Sequence, residues 1–266
     1  MTTSVGLLPG LLADLSDESA ALDVLVADLP LEGWATPTPA EGWTVAHQIA
    51  HLAWTDDQAL LSVRSPDEFG GALRKAAAHS GDVVDDGAQS GAGVSPAELL
   101  RRWRQGRADL LREIEELPEG ERIPWYGPPM SASSLVTARL METWAHGQDV
   151  ADALGVIRPV TARIRHVAHL GVRTRDYSFA VHGMAPPRAE YRLELTGPDG
   201  ELWTWGPEDS AERLTGPALD FALLVTQRIH RDDTALVAEG DGVRRWLEIA
   251  QAFAGPPGEG RPVSSR

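Results

Sequence analysis

The sequence predicts a mainly α protein, a four-helix bundle followed by a small α+β unit, on three observations. Four long stretches carry apolar residues at helical spacing, and the links between them are polar and rich in proline or glycine. Beyond Pro159 the pattern changes, and "AEYRLELTGPDGELWTWGP" alternates around a Gly-Pro-Asp-Gly turn as a hairpin does.

The first helix is read from Leu7, Leu11, Leu12, Leu15, Leu22, Val24, Leu25 and Leu29 and stops before Pro30. "PTPAEGW" follows as a loop, and a second helix starts near Thr44 and runs through "VAHQIAHLAWTDDQALLSV" to Pro66. Residues 66–94, rich in Gly, Asp and Ser, read as a long excursion with one helix inside it. Ser95, Pro96 and Glu98 form a helix-start signature, with Ser95 as cap and Glu98 reaching back to the cap nitrogen. That third helix runs to about Glu116. The turn-rich connector "LPEGERIPWYGPPMS" leads to a fourth, which begins among Ser131, Ser133 and Ser134 and ends at Gly155, a residue suited to the left-handed C-terminal position.

In the remainder, "RIRHVAHLGVRTRDYSFAV", "ALDFALLVTQRI" and "GVRRWLEIAQAFA" read as helices around the hairpin. The expected organisation is a bundle over 1–158, an α+β unit over 159–255 and a disordered tail over 256–266.

Composition limits the partners. Against 24 Lys and Arg stand 39 Asp and Glu, a formal charge of −15, and such a surface repels phosphate backbones and anionic membranes alike. No cysteine occurs, which excludes disulfides, thiolate ligands and a protein thiol nucleophile, so any sulfur chemistry uses a small-molecule thiol. The N-terminal stretch starts without basic residues and carries acids through its apolar run, unlike a signal peptide, so the cytoplasm is the expected location. A lone lysine, Lys75, among many arginines points to a GC-rich bacterial coding sequence.

"METWAHGQDVADALG" places Glu142 and His146 about 40° apart on one helical face, with Asp149 near it. A buried carboxylate needs a partner. A self-satisfying Glu–His pair inside the bundle meets that need, and so does a metal, provided another helix adds a third ligand. "WTVAHQIAHLAW" offers His51, one turn beyond His47. Two imidazoles and a carboxylate suit one divalent ion with an open position; zinc is favoured, and nickel, iron and manganese use similar donor sets. His47 and Asp149 are expected to support the centre structurally, with a fourth-ligand role as the alternative.

These two segments resemble the metal-binding helices of the DinB-like superfamily, specifically the mycothiol-dependent maleylpyruvate isomerase N-terminal domain family of actinobacteria. Trp43, Thr44, Val45 and His51 match its first motif. Glu142, His146, Gly147, Asp149, Val150, Ala151, Ala153 and Leu154 match its second. Where many relatives have Asp, this chain has His47. "LTGPDGELWTWGPEDSAERLTGPALDFALLVTQR" is similar to the sterol-carrier-type domain that follows the bundle in these isomerases. The resemblance implies a DinB-like up-down four-helix bundle with a metal held by His51, Glu142 and His146, and mycothiol as cosubstrate.

An open metal position lowers the pKa of a bound thiol or water, so that thiol or water, and no protein nucleophile, would do the chemistry. A mycothiol thiolate that adds to a conjugated double bond, allows rotation and leaves gives isomerisation; one that stays attached gives S-transfer. A metal-stabilised binding or stress-response protein without turnover and a metal-hydroxide hydrolase are the alternatives. A carboxylate-bearing substrate calls for arginine, and Arg228 aligns with one that ends the corresponding helix in the isomerases; an exposed helix-end arginine complementing the helix dipole is the other reading. Trp125, Tyr126 and Met130, just before the ligand helix, are candidate pocket walls, with plain core packing as the favoured alternative. His166 and His169 read as surface or interface residues. A small molecule and a thiol are the expected partners of a monomer or homodimer.

Overall fold

The computed structural model describes residues 7–77, 83–258 and 260–264. The first six residues of the expected bundle, and 259, 265 and 266 of the expected tail, lie outside them. The chain divides into two compact units, Met1–Arg158 and Pro159–Arg266.

In the first unit four long helices form the bundle: α1 (Leu7–Val26), α3 (Val45–Arg64), α6 (Pro96–Glu115) and α7 (Ala132–Leu154). Helices α1 and α3 each pack against both α6 and α7. Cross-helix pairs give their directions. Arg64 bonds Glu113 and Gly106 lies against Asp57, so α3 and α6 run the same way. Arg104 bonds Asp23 while Arg107 bonds the Ser19 carbonyl, so α1 opposes α6. Arg139 bonds Asp56 and His146 bonds Gln48, so α3 opposes α7.

A parallel α3–α6 pair requires the chain to return between them, and α4 (Pro66–Ala77) and α5 (Val83–Ala92) make that return while packing on α3. The approach of α5 is close because two glycines face α3. A Cβ on Gly87 would stand 2.7 Å from the Trp54 indole, and one on Gly91 2.8 Å from the Ala50 Cβ. The core between α1, α3 and α6 is built from Leu22, Val26, Trp34, Ile49, Leu52, Leu99 and Trp103.

Several local expectations change. Among its described residues, which leave out 78–82, the excursion over 66–94 contains two helices where one was expected, since Gly87 and Gly91 pack against α3 instead of breaking structure. Helix α1 stops at Val26, and a short α2 (Leu31–Trp34) follows Pro30. Ser95 does cap α6, accepting from Glu98 N at 3.4 Å, but the Glu98 carboxylate turns to Arg101 and Arg102 instead of the cap nitrogen. The connector before α7 forms a two-stranded ribbon, β1 (Arg122–Ile123) with β2 (Met130–Ser131). Gly155 takes the left-handed conformation, φ 66°, with Val156 N bonding Ala151 O and Gly155 N bonding Asp152 O to close α7.

The second unit holds a four-stranded sheet of order β4-β3-β5-β6, formed by β3 (Tyr191–Thr196), β4 (Leu202–Trp205), β5 (Glu212–Pro217) and β6 (Val237–Glu239). The expected hairpin is β3 with β4, antiparallel. Strand β5 lies parallel to β3 and had no sequence signal, because Leu214 is its one fully buried side chain. Tyr191, Leu193 and Leu195 face the core, against which α10 (Ala218–Val225) and α11 (Asp241–Leu247) pack. The first predicted helix of this unit is divided at Thr174 into α8 (Ile164–Arg173) and α9 (Arg175–Val181). The last ends at Leu247, short of the apolar run that suggested it. Its N-terminus is capped from β5, where the Glu212 carboxylate accepts from Gly242 N and Val243 N.

Candidate metal centre

Glu142 and His146 lie one turn apart on α7, a helix whose neighbouring positions Leu140, Met141, Thr143, Trp144 and Ala145 are all buried. Register against α3 brings His51 to them. His146 Nε2 stands 3.1 Å from Glu142 Oε2, and His51 Nε2 3.5 Å from the same oxygen. The two imidazole centroids are 4.4 Å apart, and the three donor atoms lie within 4.8 Å of one another. Donors around a tetrahedral zinc at about 2.0–2.2 Å stand roughly 3.3 Å apart, so the set needs little movement to close on an ion.

Two further observations fit a cation. His51 is 6% exposed and neither ring nitrogen makes a hydrogen bond, a costly state for a buried polar group that a ligand bond relieves. Burial would raise the pKa of Glu142, but the hydrogen bond from His146 and the charges of His146 and His51, whose Nε2 faces the carboxylate at 3.5 Å, outweigh it and hold the carboxyl well below its ordinary range. The carboxylate is thereby kept in its ligating form. The Glu142 and His146 side chains keep 23% and 12% exposure, enough to leave the donors in reach of a small molecule.

Around the donors lie groups with plain structural reasons. Trp43 stacks near His146, with centroids 6.0 Å apart at 20°, and tilts over His51 at 5.3 Å. Its Nε1 donates to Asp85 on α5 at 2.9 Å. His47 closes a capping box at the start of α3: its Nδ1 accepts from Thr44 N at 3.3 Å and lies 2.9 Å from Thr44 Oγ1, while its Nε2 bonds Gln89 at 3.0 Å. Both ring nitrogens are thus engaged, and His47 is not one of the three clustered donors. Asp149 is 1% exposed and also outside that cluster. Arg158 donates to the Trp144 carbonyl and to buried Glu18, and its guanidinium lies 3.3 Å from where a Cβ on Gly147 would be, which accounts for a glycine inside α7.

The sequence reading missed Gln48. It is fully buried on α3, and its Oε1 lies 2.5 Å from His146 Nδ1 while its Nε2 donates to Thr38 Oγ1 at 2.9 Å. A glutamine on an apolar helical stripe three residues before a histidine was the available signal.

Other expected residues are placed elsewhere. Trp125 stacks on Phe69 at 5.8 Å, and Tyr126 packs edge-on to both. Tyr126 also lines a cleft of about 650 Å³ between α3, α4, α5 and α6, whose walls include Trp54, Phe69, Lys75 and Arg102 but none of the three donors. Met130 is paired in the β1–β2 ribbon. In the second unit Arg228 follows α10, where Gln227 takes a left-handed φ of 61°, and its Nη1 donates to the Thr226 carbonyl at 2.5 Å. His169 accepts from Trp205 Nε1 at 3.2 Å. No helix among the described residues is long and apolar enough to cross a membrane.

Comparison with known proteins is consistent with this geometry. The family profile described as mycothiol maleylpyruvate isomerase N-terminal domain matches residues 15–151, and one described as wyosine base formation matches 188–239. Two uncharacterized proteins of Mycobacterium tuberculosis, from strains CDC 1551 / Oshkosh and ATCC 25618 / H37Rv, are each 57% identical over 249 residues, covering 94% of this chain and 97% of theirs. The crystal structure of the mycothiol-dependent maleylpyruvate isomerase has a similar fold, with a TM-score of 0.60 at 17% identity over 90% of this chain and 95% of that one. A histidine-to-alanine mutant of that enzyme gives the same score over 89% and 95%.

Proposed function

This chain belongs to the mycothiol maleylpyruvate isomerase N-terminal domain family, and from that premise we propose that it is a divalent-metal enzyme using mycothiol on a small electrophile. The observation that carries the reading is the convergence of His51, Glu142 and His146 with both His51 ring nitrogens left without hydrogen bonds.

A divalent ion on these donors supplies a Lewis acid that makes a thiol or water acidic enough to ionise near neutral pH. The protein's part is to bind and position. Glu142 brings one negative charge and the imidazoles two neutral donors, so a dication keeps net positive charge with which to attract an anion. Trp43 forms an aromatic wall beside the imidazoles. With no cysteine in the chain, the attacking sulfur comes from outside. Zinc is the ion the N/O donor set favours.

The substrate class follows from the chemistry. A thiolate adds to a carbon–carbon double bond conjugated to a carbonyl; rotation about the resulting single bond and expulsion of the thiolate return the other geometric isomer and regenerate the thiol. If the adduct is protonated and released instead, the reaction is S-transfer and consumes thiol. Arg228 is the candidate contact for a substrate carboxylate, by bidentate pairing.

The test is to incubate zinc-replete protein with mycothiol and maleylpyruvate, following substrate isomerisation and free thiol separately. Isomerisation with thiol conserved supports the isomerase reading, and thiol loss supports S-transfer. If chelator-treated and zinc-replete protein both leave substrate and thiol unchanged, the enzymatic reading of this substrate class falls.

A further inference from the structure

We infer that Gln48 is a positioning residue whose amide, oriented by Thr38 and the Trp43 carbonyl, fixes the tautomer of His146 and so presents its Nε2 lone pair to the metal. The inference rests on the metal reading above and adds to it the device that sets one ligand.

The argument is one of donors and acceptors along a chain of hydrogen bonds. Thr38 Oγ1 lies 2.9 Å from the Trp43 carbonyl oxygen. A carbonyl only accepts, so the single hydroxyl proton of Thr38 is spent there. The Thr38 oxygen can then only accept from Gln48, 2.9 Å away, so the side-chain amide must turn its NH2 to Thr38. That leaves Gln48 Oε1, an acceptor, 2.5 Å from His146 Nδ1. An acceptor at that distance requires a proton on Nδ1. With Nδ1 holding that proton, Nε2, which faces Glu142 Oε2 at 3.1 Å while the site is empty, is the nitrogen free to release any proton it shares with that carboxylate and turn its lone pair to an ion.

Direction in this chain comes from the backbone. Thr38 and Trp43 belong to the loop before α3 and are tied by Thr38 N donating to the Trp43 carbonyl at 2.8 Å. Gln48 is 0% exposed, so water cannot substitute for either amide partner. The acceptor offered to His146 is a neutral amide, which withdraws less proton density from the ring than a carboxylate would. The ligand is therefore oriented while being made less basic than a carboxylate partner would make it, and the ion keeps more of its Lewis acidity.

The experiment compares Gln48→Leu, Gln48→Glu and Thr38→Val in the full-length protein. Zinc affinity is read by competition with a chromophoric chelator, and the His146 tautomer by ring 15N shifts of metal-free protein at a pH where the imidazole is neutral. Gln48→Leu is expected to bind zinc 10–100-fold more weakly. Gln48→Glu restores an acceptor and should bind at least as tightly as wild type. Thr38→Val leaves Gln48 in place but removes what orients it, so the shifts should move from a single Nδ1–H form to a mixture.

Wild-type zinc affinity in Gln48→Leu, or an Nε2–H tautomer in the unmodified protein, would overturn the inference. Should Gln48→Leu not fold, Thr38→Val decides by the same shifts, and an unmixed Nδ1–H spectrum there counts against the chain. If wild-type protein takes up no zinc, the metal reading fails on its own, while the ring shifts still settle whether Gln48 sets the tautomer.

Discussion

Arg139 on α7 and Asp56 on α3 form an ion pair between the two helices that carry the clustered His51, Glu142 and His146 donors, with Nε donating to Oδ1 at 2.9 Å and side chains only 2% and 8% exposed. Burial pushes the Asp56 carboxyl pKa up, against the pull of Arg139, and Arg139 Nη2 is buried with no hydrogen bond. Such a pair gives little net stability when intact but is expensive to halve. Asp56→Ala should therefore destabilise by about 3–5 kcal/mol in urea unfolding. Replacing both residues with apolar ones of similar volume should recover most of the loss. Additive losses in the double variant would show that the pair does not act as a unit.

The metal content should be about one divalent ion per chain by elemental analysis, because inward-facing His51, Glu142 and His146 share one small volume. The His51→Ala, His146→Ala double variant should lose it. Unchanged content would place the ion elsewhere.

His47→Ala should keep most of that metal and lose stability instead. Both of its nitrogens are spent on Thr44 and Gln89, so the expected cost is that of a helix cap, about 1 kcal/mol. Metal loss equal to that of His51→Ala would make the site a four-ligand one.

Acid should release the latch between α1 and α6. A hydrogen bond from Arg104, helped by Arg107, holds the Asp23 carboxyl below its ordinary value of 3.8. A lowered folded pKa means the stabilisation is fully present above 3.8 and fades as pH falls below it. The pair is partly solvated, so no more than about 1 kcal/mol is expected. Asp23→Asn should remove this part of the acid dependence, and urea midpoints measured from pH 5 down to 3 would reveal it.

Arg228→Lys should leave fold and metal content intact and weaken processing of a carboxylate substrate, because an ammonium cannot reproduce a bidentate guanidinium contact. A contact made mainly in the transition state lowers kcat, whereas one made equally in the ground state raises KM. Wild-type constants in both Arg228→Lys and Arg228→Ala would remove it from the site.

The four bundle helices were legible because each carries its own period: the apolar stripe, Ser95 before Pro96, and Gly155 after Leu154 are all local signals. Glu142 and His146 were legible for the same reason, since four residues along one helix bring two side chains together in any surroundings. The second helix within 66–94 was hidden because its glycines look like breakers until α3 is there to pack against them. Strand β5 was hidden because its fit depends on pairing with β3 and β6 more than on its own alternation.

His51 stood out as an imidazole on an apolar stripe, but its meeting with Glu142, 91 residues away, depends on the register of α3 against α7, which side-chain packing sets. The same holds more strongly for His47 and Gln48. Adjacent in the chain, they look alike as polar residues near His51. One points its ring at a helix cap, and the other its amide at His146. Which does which follows from the loop that places Thr38 and the Trp43 carbonyl beside α3. Periodicity is a property of neighbouring residues and survives in the linear chain, whereas the direction of a hydrogen bond is decided by distant atoms that only folding brings within reach.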